Sequence, residues 1–150
     1  MYGSLDISVG GMVAQRTRLT TIATNIANSN TILDAQENPE AFRRRIPVFM
    51  EGDPSSRVAL EGNRRFAGGG AGVHVHEIML DDAPPRRVHD PSNPFAKPEG
   101  HPDAGYVYYP NIDTVTEQVN ALDAQRAYEA NVMVAEATKS MVAQALRLIG

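Results

Sequence analysis

His74-Val75-His76-Glu77 is the one stretch whose residue types and spacing suit a metal site. Alternation along a strand puts His74 and His76 on one face, where two imidazoles can share a zinc ion if a third ligand arrives from elsewhere. Glu77 points the other way and nothing nearby supplies that ligand, so both histidines read as solvated, with no metal and no cofactor expected. The run AGGGAG at 67 to 72 has the glycine density of a phosphate loop. It lacks the Gly-Lys-Ser/Thr that contacts phosphate and magnesium, and no amphipathic helix follows it, so it reads as a hinge. Arg43 to Arg45 alternate across a strand with carboxylates available to them, and with Arg86 and Arg87 they read as solvated or salt-bridging residues, not as a nucleic-acid surface. His89 with Asp90 and His101 with Asp103 sit among prolines and lack a positioned nucleophile, so no enzyme is expected.

The absence of catalytic chemistry turns attention to the elements themselves. The chain has 150 residues, 42% apolar but only 6% aromatic, with no Trp and no Cys. That excludes disulfides, iron–sulfur clusters and thiolate zinc sites, and favours helices with small-residue faces. A net charge of −4 argues against nucleic acid or anionic membrane as a partner. No apolar run is long enough for a transmembrane span, and the first 20 residues lack the pattern of a secretory signal peptide. The default location is then cytoplasmic, unless another route exports the chain.

Three zones divide the sequence into an α+β chain: a helix in 1–30, a β-rich insert in 31–110, and a second helix in 111–150. Leu5, Val9, Met12, Leu19, Ile22 and Ile26 recur at helical spacing, with Ser4 or Asp6 as candidate caps and the asparagine cluster as the end. Gly10 and Gly11 interrupt this pattern at a cost of about 1 kcal/mol each. Nine of the ten prolines lie between Pro39 and Pro102, which makes the middle zone loop-rich. Short strands are expected at 42–50, 57–60, 73–80 and 106–109. The third zone opens with Thr114 and Glu117 as a candidate capping box, and from Thr114 to Ile149 there is neither Gly nor Pro.

Thirty-six residues of helix would extend about 54 Å, longer than a small domain is wide. Arg126, Glu129, Glu136, Ser140 and Arg147 align on one narrow line of it. Most of the remaining girth is apolar or small: Ala127, Ala130, Val134, Ala137, Met141, Ala145 and Leu148 on one flank, Tyr128, Val132, Ala135, Val142, Leu146 and Ile149 on the other. A helix of that kind is buried against more than one neighbour, and this chain offers one other helix. The missing partners are expected to come from other chains. Asn25 lies inside the first helix and is expected at such an interchain contact; Asn28 and Asn30 read as the turn that ends it.

The stretch DISVGGMVAQRTRLTTIATNIANSNT at 6–31 resembles the N-terminal signature of the flagellar axial proteins of the rod and hook families, with Asn25, Asn28 and Thr31 in its Asn-x-x-Asn-x-x-Thr places. PPRRVHDP at 84–91, GYVYYPNID at 105–113 and RAYEANVMVAEATKSM at 126–141, in so short a chain, resemble the proximal-rod members. The resemblance implies a structural subunit exported unfolded by the flagellar type III apparatus and polymerised through its terminal helices into the torque-transmitting rod. Its implied partners are copies of itself, other rod proteins, the export apparatus and the membrane ring, in the periplasmic space of the basal body. The interface positions it implies are Leu5, Met12, Leu19, Ile22, Asn25, Ile26, Asn28 and Thr31 on the first helix side. On the last helix they are Leu122, Arg126, Tyr128, Glu129, Asn131, Val132, Met141 and Leu146. Removing 1–30 or 126–150 is expected to leave a soluble insert and abolish incorporation. A different axial subunit, or a soluble dimeric metal-binding or regulatory module, are the alternatives.

Overall fold

A computed structural model describes residues 2–33, 40–52 and 72–149. Its elements run α1 (Tyr2–Ala27), β1 (Arg45–Glu51), β2 (Val73–Leu80), β3 (Arg86–His89), β4 (Tyr106–Tyr109) and α2 (Thr114–Ile149). The architecture is α+β: two long helices at the ends of the chain, with two two-stranded sheets between them in sequence. The strand expected at 57–60 and most of the glycine run at 67–72 lie outside the described residues.

The helix ends follow from side chains that satisfy orphan backbone groups. Ser4 and Asp6, expected as caps, are inside α1, which begins at Tyr2. At its other end Asn28 donates its side-chain amide to Thr24 O at 2.8 Å and accepts from the Thr31 hydroxyl at 3.2 Å, closing the helix and folding the chain back. The start of α2 corrects the expected capping box. Asp113 is the cap: its carboxylate accepts from the Val115 N–H at 3.0 Å and the Thr116 hydroxyl at 2.6 Å, while the Glu117 N–H bonds the Asp113 carbonyl. These bonds to Thr116 and Val115 hold the Asp113 carboxyl below the usual carboxylate range. Glu117 is thereby freed from capping and turns inward.

Two compact units divide the chain, and each takes part of both helices: Met1–Thr20, Pro47–Ile78 and Ala121–Gly150 in the first, Thr21–Ile46 and Met79–Asn120 in the second. In the first unit, adjacent glycines each meet a different neighbour. A Cβ on Gly10 would lie 3.1 Å from Val73 O of β2, and one on Gly11 would lie 2.7 Å from the Asn131 amide of α2. Ser8, Ala14, Ala124 and Thr138 are buried in the same unit, so small residues fill its interior. Its polar members satisfy themselves on their own helix: Ser8 donates to Ser4 O, Asn131 to Ala127 O and Thr138 to Val134 O.

A paired prediction follows. Gly3 has open space around its Cβ position, so Gly3→Ala gains a few tenths of a kcal/mol of helix propensity. Gly11→Ala gains the same kind of term, about 1 kcal/mol, but must displace Asn131; overpacking of about 1–3 kcal/mol outweighs it. Thermal unfolding of both variants should move in opposite directions.

The second unit holds the antiparallel pair β3–β4, in the register Arg86↔Tyr109 to His89↔Tyr106, with Val107 buried beneath it. The strand β3 was not anticipated. Between these strands the Tyr108 hydroxyl donates to Asp103 at 2.5 Å, and Arg87 reaches the other oxygen of that carboxylate at 3.3 Å. The Tyr108 hydrogen bond, helped by Arg87, holds the Asp103 carboxyl below its ordinary value, and Asp103 in turn pushes the Tyr108 phenol up. For the carboxyl, a lowered folded value means stability present above about pH 3.8 and lost as the pH falls through the lower folded value. For the phenol, a raised folded value means stability present below about pH 10 and lost above it. Tyr108→Phe should therefore flatten both limbs of the stability profile, measured as denaturation midpoints across pH.

Candidate functional site

Asn25 is the residue on which α1, β1 and α2 converge within the second unit. Its side-chain amide faces the backbone of Arg45 as a neighbouring strand would: Oδ1 accepts from the Arg45 N–H at 2.9 Å and Nδ2 donates to the Arg45 carbonyl at 2.8 Å. Nδ2 also donates to Glu117 Oε2 at 3.1 Å. The other carboxylate oxygen of Glu117 accepts from Arg44 Nε at 2.9 Å and Nη2 at 2.5 Å. Arg44 extends the network to Asp81 at 3.6 Å, and the Arg44 carbonyl accepts from the Asp81 N–H. Glu117 is 1% exposed and Asn25 also 1%, so this is a buried ionic clamp with both side-chain partners supplied. The clamp ties α1, β1 and α2 together, and Arg44 and Asp81 also line a pocket of about 450 Å³ with Phe42, Lys97 and Tyr108.

The expected site residues separate into two groups. Asn25 and Ile22 are buried inside the chain; the amide of Asn25, expected to face another chain, is spent on Arg45 and Glu117. Asn28 and Thr31 pair with each other in the turn after α1. Leu5, Met12, Leu19, Ile26, Asn131 and Val132 are half-buried. Leu122, Arg126, Tyr128, Glu129, Met141 and Leu146 are exposed, and Glu129 accepts from Gln125 of its own helix.

Exposure of large apolar residues is the second feature of the site. Met141 is 62% exposed, Leu146 66% and Leu148 89%, and Ile7, Val9 and Val13 stand out from α1. Small side chains occupy the interior while long ones face away from it, the reverse of a helix pair built to stand alone. The burial of Glu117, its pairing with Arg44 and the outward stripe of Ile7 and Val13 on α1 are features sequence reading missed. For Glu117 the signal was the Asp one residue before Thr114, a better cap than the threonine.

At the histidines, the His74 ring nitrogen Nδ1 bonds Gly52 O at 2.9 Å, and the His76 ring stands edge-on 6.5 Å away. Among the described residues no group of three metal-ligating side chains forms there or elsewhere. Arg43 bonds Asp81 O and pairs with Asp82, and the Arg45 guanidinium lies over the Phe42 ring, so the arginine run is engaged within the chain. Among the described residues no helix is long and apolar enough to cross a membrane.

Comparison with known proteins places these features in a family. The model for flagella basal body rod proteins matches residues 5–32, and that for the C-terminal region of the flagellar basal body rod FlgEFG proteins matches 103–148. Those two segments hold Asn25 and Glu117, the two ends of the clamp. The flagellar basal-body rod protein FlgC of Bacillus subtilis is 34% identical over 98% of this chain and 97% of its own length. Its counterparts in Borreliella burgdorferi and Yersinia enterocolitica are 33% identical over 99% of the chain and 35% identical over 95%. With such likeness running through both helices and the strands between them, the chain belongs to the FlgC family of flagellar basal-body rod proteins.

Proposed function

We propose that this structural, non-enzymatic rod subunit works by polymerisation through the outward faces of its terminal helices. The observation that carries this reading is the inversion of size across those helices: small residues inside, Val9, Val13, Met141, Leu146 and Leu148 outside. Covering such side chains with neighbouring subunits removes each from water for roughly 1.5–3 kcal/mol, which offsets the ordering of the ends. The half-buried and exposed positions Leu5, Met12, Leu19, Leu122, Tyr128, Met141 and Leu146 are the contacts, with Arg126 and Glu129 at their rim. The buried clamp keeps the second unit intact before and after assembly.

Assembly joins the chain to other rod proteins of the basal body. The finer placing belongs to the same reading: export through the flagellar type III apparatus, a seat in the periplasmic space, and a proximal position next to the membrane ring. Electron cryotomography of basal bodies in a strain lacking the gene, beside the complemented strain, tests it. A membrane ring and export apparatus without a rod, restored by complementation, is the expected result. Intact rotating flagella in the deletion strain would overturn the reading.

A further inference from the structure

The open pocket of about 450 Å³ beside the clamp lies wholly within the second unit. Its volume falls in the range of small-ligand sites. The rings of Phe42, Tyr108, Pro84 and Pro85 make its apolar walls, with the methyl groups of Ala41 and Ala83 between them. Two consecutive prolines fix the backbone of one wall, and the Tyr108 hydroxyl is tied to Asp103 on another.

Six charged side chains line the pocket, and four of them are matched with one another. Arg43 pairs with Asp82, and Arg44 lies 3.6 Å from Asp81, which also accepts from the Ala83 N–H at 2.9 Å. The other two, Lys97 and Glu40, form no ion pair among the described residues. Lys97 is the fixed member. Its N–H bonds Tyr106 O at 3.1 Å, its carbonyl accepts from the Gly105 N–H at 3.0 Å, and its ammonium stands 5.8 Å over the Tyr108 ring. A half-buried cation held over a ring, with no carboxylate to meet it, keeps its capacity for a charge-assisted bond. Glu40 is exposed.

We infer that this pocket receives an extended peptide segment of a partner protein, in which one large apolar residue is flanked by an acidic and a basic residue. The apolar side chain fills the space between Phe42, Tyr108 and the two prolines. The acidic neighbour meets Lys97 and the basic one meets Glu40. Two unmatched charges of opposite sign, in a pocket whose other charges are matched, select an acid and a base together. The exposed Asn111 amide carries both a donor and an acceptor for a peptide group, and the open side lets a chain pass across. Walls set by proline and a tied tyrosine need little ordering when the peptide arrives.

NMR of the isotope-labelled full-length chain tests this, with blocked pentapeptides as the probes. Each has alanine at both ends and, between them, phenylalanine flanked by aspartate and lysine in one order or the other. The expected result is saturable movement of the Phe42, Arg43, Ala83 and Lys97 amide signals below about 5 mM peptide with at least one order. Replacing either charged residue of that peptide by serine should weaken it, by at least tenfold for the aspartate. Lys97→Glu should reject the aspartate peptide and accept one with lysine on both sides of the phenylalanine; Lys97→Gln should lose the first without gaining the second. Unchanged β3–β4 amide signals in both variants show that the fold is kept. Four outcomes overturn the inference: no saturable movement at those amides with either order, a serine peptide that binds as well as the aspartate one, Lys97→Glu with unaltered preference, or free phenylalanine that binds as tightly as the peptide. The last would assign the pocket to a small zwitterion.

Discussion

Arg44→Ala should lower the folding stability of the purified chain by about 3 kcal/mol, on the order of a hundredfold in the unfolded fraction. The variant leaves the Glu117 carboxylate buried at 1% exposure with Asn25 as its remaining side-chain donor. A carboxylate in that position keeps most of its desolvation cost and loses the guanidinium whose two N–H groups converge on one of its oxygens and offset that cost. The value sits at the low end for breaking a buried pair because the Arg44 side chain is 27% exposed, so water partly replaces it. Arg44→Lys should recover only part, since an ammonium cannot occupy both bonding positions. The double variant Arg44→Met with Glu117→Met should return closer to wild type, because removing both charges also removes both desolvation costs. Denaturant midpoints decide it, and an unchanged midpoint in Arg44→Ala would show the pair to be idle.

Deleting residues 126–150 should abolish incorporation into the rod while leaving the second unit folded. The deletion removes Met141, Leu146 and Leu148, whose exposure gives them no role in holding the monomer together. It spares Asn25, Arg44 and Glu117 with everything they bond. Deletion of residues 1–30 is a different experiment from the one the sequence alone suggests. It takes away Asn25 and Ile22, so the middle of the chain loses the amide that bonds Arg45 at both its N–H and its carbonyl. The expected result is loss of incorporation together with loss of β3–β4 protection in hydrogen exchange. Met141→Glu isolates the assembly term: an exposed site should shift stability by no more than about 0.5 kcal/mol, while incorporation falls sharply. Rods built normally by the 126–150 deletion would refute assembly through α2.

Much of this fold is legible in the residues. The run from Thr114 to Ile149, free of Gly and Pro, gives α2 at its observed bounds, and the alternation of Val73 to His76 gives β2. Strand β3 was hidden because Arg86, Arg87 and His89 carry no apolar period, and its pairing to β4 depends on a register that only the folded chain supplies. The Asn25 signal was visible, since a buried amide near a helix end needs partners. Its partners were not, because two of its three bonds go to a main chain, which leaves no trace in residue type. Glu117 was misread for a related reason: the Asp-Thr-x-Thr-Glu run of 113 to 117 fits two caps one residue apart, and Asp113 takes the role. The outward apolar face of α2 was legible as a surplus of apolar girth.

The manner in which Asn25 holds Arg45 bears on how this chain can drift over evolutionary time. A side chain that recognises another side chain ties two positions together, and each can change only if the other answers. A side chain that recognises a peptide group ties down one. Position 45 can accept any residue that fits an exposed strand start, apart from proline, which would remove the N–H. Position 25 has no such freedom, since Asp lacks the donor and Gln places the amide one methylene too far. Among homologues the two sites should therefore show no covariation despite being in direct contact. Positions 44 and 117, joined guanidinium to carboxylate, should change together or not at all.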